Sequence, residues 1–158
     1  MQIYGRDQKT PTQWKFVLSV GTNKAALAEF LYAAWRDGDL TVVGKNLSLY
    51  IAHGEKCHCV TVREGLQTVN AVEDLTCDHE ECDTRVFLHA QHAAQEHHTV
   101  VIKSPDTDVA VIALSLEKDL PCRLYFHTGV GNRTLLFILG RKHQCYRLKN
   151  ESGFGYIT

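Results

Sequence analysis

Several things are missing from this chain, and each absence excludes something. There is no long hydrophobic run. The most apolar stretches, near Val109–Leu114 and Leu135–Leu139, are far too short to cross a bilayer, so no membrane partner is expected. The opening MQIYGRDQKTPTQW holds no apolar signal-peptide core, and the expected setting is intracellular, cytoplasmic or nuclear. Neither sign of charge dominates. Lys and Arg number 17 against 18 Asp and Glu, a formal net charge of −1, so overall charge gives no reason to expect a polyanionic partner. No internal repeat and no low-complexity linker interrupts the chain. Six cysteines in a reducing compartment are expected to be thiols and not a disulfide frame.

What is present is a 158-residue chain, 44% hydrophobic and 22% charged, the proportions of a soluble domain with a sizeable core. Its charge is unevenly spread. From Asn70 to Asp119 eleven acids face three bases, whereas from Arg133 onward five bases stand with only Glu151. An acidic middle beside a basic end suits a metal site next to an anionic substrate. It equally suits an unevenly solvated surface.

Periodicity supplies the elements. TNKAALAEFLYAAWRDGD reads as an amphipathic helix with Leu27, Phe30, Leu31, Ala34 and Trp35 on its apolar face, capped by Thr22 or Asn23 and ended by Gly38. Short strand-like pieces follow at Leu40–Val43, Leu47–Ala52 and Cys57–Val62, punctuated by glycines. A second helix is predicted over Glu80–Gln95. TVVIK (Thr99–Lys103) reads as a buried strand, and Asp108–Leu114 as a short helix capped by Ser104, Asp106 or Asp108. RLYFH and TLLFIL read as strands around a TGVGN turn. Helices alternating with β-branched strands predict an α/β fold with a mainly parallel sheet flanked by helices. One domain is expected over 1–140, with an irregular tail over 141–158.

The acids are placed where α/β sheets carry sites. Asp106 and Asp108 follow directly on a predicted strand, and in an open parallel sheet ligands bind beyond strand carboxyl ends. Glu81 and Asp83 repeat the acid-x-acid spacing at the start of the preceding helix. Four carboxylates brought together repel one another and call for a cation. Hard oxygen ligands at that density suit Mg²⁺ or Mn²⁺, which serve phosphodiester cleavage. The competing reading is that Asp106 caps a helix and the other acids are surface.

EECDTRVFLHA, a stretch of helix and strand, and then SPDTDV resemble the PIN-like nuclease superfamily, and within it the flap-endonuclease group. By that match Glu81 and Asp83 correspond to the first acidic pair, Asp106 and Asp108 to the second, and Ser104 to the serine before them. More widely, TQWKFVLSVGTNKAALAEFLYAAW, YIAHGEKCHC, SPDTDVAVIAL and LYFHTGVGNR are similar to a multicopy, transposon-derived set of animal proteins that share a PIN-like core. The resemblance implies a metal-dependent nuclease acting on DNA or RNA, with Glu81, Asp83, Asp106 and Asp108 as both catalytic and metal-binding residues. Two parts of the flap-endonuclease pattern have no counterpart. Asp7, Asp37 and Asp39 follow no clear strand, and no later Thr-Gly-x-Asp-Thr motif occurs. The expectation is therefore an incomplete PIN-like domain. Its alternative is a non-catalytic module that binds nucleic acid or protein.

Other constellations carry less. Cys57, His58, Cys59, Cys77, His79 and Cys82 offer soft ligands, but their spacing matches no standard zinc motif, and structural zinc is not expected. His89, His92, His97 and His98 read as helix-surface and helix-end residues. His127 closes a strand near the predicted edge. HTGVGNR is no Walker A loop, lacking the Lys-Ser/Thr pair, and reads as a turn.

Overall fold

The computed structural model describes residues 7–9, 11–77, 82–129, 135–139 and 144–147, with only the backbone described at 82, 83 and 144–147. It is a mixed α/β structure. Contacts divide it into two compact units, Met1–Asp78 and His79–Thr158. The physical reason lies in the sheets. Among the described residues each unit has its own hydrogen-bonded sheet, three-stranded in the first and four-stranded in the second, and no described strand is shared.

The first unit begins with helices α1 (Trp14–Ser19) and α2 (Gly21–Asp37). Strands β1 (Asn46–His53), β2 (Lys56–Arg63) and β3 (Leu66–Ala71) follow as an antiparallel meander. Two-residue turns join them. Glu64 and Gly65 both have positive φ, the pattern of a type I′ turn, whose twist matches that of the flanking strands. Leu47 pairs with Val62 and Leu49 with Val60, so one sheet face carries Leu47, Leu49, Ile51, Val60 and Val62, packed with Leu40. On the other face Cys57 and Cys59 are buried, and a short 3-10 helix, Glu73–Leu75, packs on β2.

Three expectations are corrected here. The apolar face predicted for α2 is only partly its buried face: Leu27, Phe30 and Ala34 are half-buried, but Leu31 and Trp35 are each 46% exposed, whereas Tyr32 and Asn23 are buried. The helix turns a polar-tipped aromatic inward because the sheet offers that tip a partner. Neither Thr22 nor Asn23 caps α2. Asn23 lies inside the helix and its side-chain amide donates to the Val17 carbonyl at 3.1 Å, tying α2 to α1. Leu40–Val43 forms turns and no strand. Gln67 holds this loop, its side-chain amide donating to the Gly38 carbonyl and its side-chain oxygen accepting from the Leu40 N–H, both at 2.7 Å.

The second unit runs α3 (Cys82–Glu96), β4 (Thr99–Lys103), α4 (Thr107–Leu116), β5 (Arg123–Thr128), β6 (Leu135–Leu139) and β7 (Gln144–Arg147). The sheet order is β4-β5-β6-β7. Only β4 and β5 are parallel among the described strands, joined through α4 as a β-α-β unit; the other pairs are antiparallel. A mainly parallel sheet is thus not what these strands form. The links 129–134 and 140–143 are shorter than the crossover of about a dozen residues that a parallel return needs. The tail expected to be irregular supplies β7. Val100 and Ile102 of β4, Leu124 and Phe126 of β5 and Leu139 of β6 form one core with Phe87 and Ala90 of α3 and Val109 and Ala113 of α4.

Candidate metal edge and a second polar cluster

The four predicted acids are located as follows. Asp106 and Asp108 lie just beyond the carboxyl end of β4, where α4 begins, and both are exposed. Asp83 is in the first turn of α3, with its side chain outside the described residues; Glu81 also lies outside them. α3 is joined to β4 by His97 and His98 and packs on it, so it runs back along the strand.

The local chemistry at Asp106 is capping. The Ser104 hydroxyl accepts from the Asp106 N–H at 3.1 Å, and Asp106 Oδ1 accepts from the Asp108 N–H at 2.9 Å. These bonds satisfy N–H groups that a helix start leaves unpaired, and Asp108 in the first turn faces the positive end of the helix dipole. Ser104 N–H in turn donates to the His127 carbonyl at 3.1 Å, which ties the turn to β5. Lys103 and His127 are register partners at this end. His127 is buried, and its imidazole is held below the usual range, first by burial and then by the Lys103 charge. His89 on α3 is lowered by burial, then by the charges of Arg85 and His92.

The fit to a divalent cation is partial. Exposed carboxylates are the right donors for a hard cation, but one oxygen of Asp106 is engaged in the cap. Among the described residues no group of three or more His, Cys, Asp or Glu side chains is placed to hold a metal ion. Cys57, Cys59, Cys77 and Cys122 are thiols; His79 and the Cys82 side chain of the soft-ligand set lie outside the described residues. Burial raises the Cys122 thiol above its ordinary value. Among the described residues no helix is long and apolar enough to cross a membrane.

The first unit holds a polar cluster that sequence reading passed over. The Tyr32 hydroxyl lies 2.5 Å from His58 Nδ1, and His53 Nε2 lies 2.8 Å from a Glu29 carboxylate oxygen. Both imidazole rings stand against the Tyr32 ring, with centroids 5.6 and 5.8 Å away, and Arg36 lies over it at 5.4 Å. Asp37 pairs with Arg36 through two bonds of 2.7 and 2.8 Å, which hold its carboxyl below the usual range. The signal was available. Glu29, Tyr32 and Arg36 are spaced i, i+3, i+7 along one helix face, and His53 and His58 share a sheet face with Ile51.

Compared with family models, with curated proteins and with solved structures, the chain gives no match.

Proposed function

We propose that the unit His79–Thr158 is a PIN-like, divalent-metal-dependent nuclease unit whose site is the edge formed by Asp106, Asp108, Asp83 and Glu81. One observation carries the reading. The carboxyl end of a strand in a parallel β-α-β unit bears the Asp106/Asp108 pair, and α3, whose start carries the other acidic pair in the sequence, packs on that strand. Asp106 and Asp108 would hold Mg²⁺ or Mn²⁺ with Asp83 and Glu81. The cation, when bound, supplies the positive charge that a phosphodiester needs as it is attacked by water. The chain's own task is to keep the two acids fixed. The Ser104–Asp106–Asp108 bonds serve that by locking the turn before α4. DNA or RNA is the substrate class on this reading.

A specific observation favours a second reading, a non-catalytic PIN-like module that binds nucleic acid or protein. Asp106 is already employed as a helix cap, and two carboxylates alone make a poor cation cage.

Calorimetric titration of Mn²⁺ separates the two, run on the full chain and on an Asp106→Asn/Asp108→Asn variant with its circular dichroism checked. The metal reading expects saturable binding that the variant loses, and Mn²⁺-dependent cleavage of flapped or single-stranded DNA or RNA. Heats that are the same for both proteins sink it in favour of the second reading.

A further inference from the structure

We draw no further inference here: the strongest candidate, the exposed apolar surface that helices α1 and α2 present through Trp14, Phe16, Leu31 and Trp35, carries nothing because nothing in the structure shows what covers it.

Discussion

The two units solve the same problem with different means. Among the described residues the second gathers eleven buried residues from two helices and three strands into one apolar cluster, whereas the largest such cluster of the first holds three, with Leu47, Leu49 and Ile51 beside them. The first makes up the difference with polar geometry. Tyr32 meets His58, Asn23 meets Val17, and Gln67 spans from β3 to the end of α2. An apolar core is tolerant of direction and sensitive to volume, while hydrogen bonds are the reverse. The second unit should therefore suffer most from cavities and the first from lost polar atoms.

The largest effect that bears on this contrast is expected from Leu124→Ala. Leu124 is completely buried at the centre of the second unit, and its truncation should cost about 3 kcal/mol or more of that unit's stability. Both tryptophans, Trp14 and Trp35, lie in the first unit, so their fluorescence follows that unit alone. Denaturation monitored by fluorescence should hardly move while far-ultraviolet circular dichroism shifts to lower denaturant. Coincident shifts in both signals would show that the units unfold as one.

Tyr32→Phe comes next. It keeps the ring packing but leaves His58 Nδ1 without its phenol, at a cost of about 1–2 kcal/mol. This time the fluorescence-detected transition should move. If it does not, the polar cluster is not what holds α2 to the sheet.

Asp106→Ala, which removes the cap of α4, should cost the second unit about 1 kcal/mol. Asp106→Asn keeps a capping acceptor and should cost less.

The smallest effect is a difference in acid response. His127 and His89 have folded values below the ordinary 6.5, so the unfolded chain binds more protons just below that pH. Their contribution is present above about pH 6.5 and is lost as pH falls through the folded values. Asp37 and Asp39 are lowered from 3.8, by Arg36 and Thr41 respectively, so the first unit's share is lost only below that pH. Between about pH 6.5 and 4.5 the second unit should weaken first. A fluorescence-detected transition that moves first on acidification would reverse that order.

How far the residues themselves reveal this structure varies by element. TVVIK is β4 from end to end, and the short helix after it is capped by Asp106, because both signals are local: β-branched alternation and a side-chain cap. β3 escaped notice because LQTVNA is mostly exposed and lacks a buried alternation. β7 was hidden in a polar segment whose strand character comes from pairing with β6. The inward face of α2 was read only in part for a related reason: hydrophobicity favours Leu31 and Trp35, but the partner that selects Tyr32 lies on a strand far along the chain. The position of Asp106 and Asp108 just after β4 was legible from the order strand, then acids. The occupation of Asp106 in capping follows from bond geometry, which spacing does not carry.

Gln67 has a kinetic meaning as well. Its two bonds span 27 and 29 residues, from the last strand of the meander to the end of the helix before it. The β1–β2 and β2–β3 hairpins can close on their own within microseconds, whereas this clamp must wait until β3 has joined and the intervening loop has been brought back. The helix terminus is thus the late-closing part of its unit. A substitution at Gln67 should speed unfolding and leave the folding rate almost unchanged.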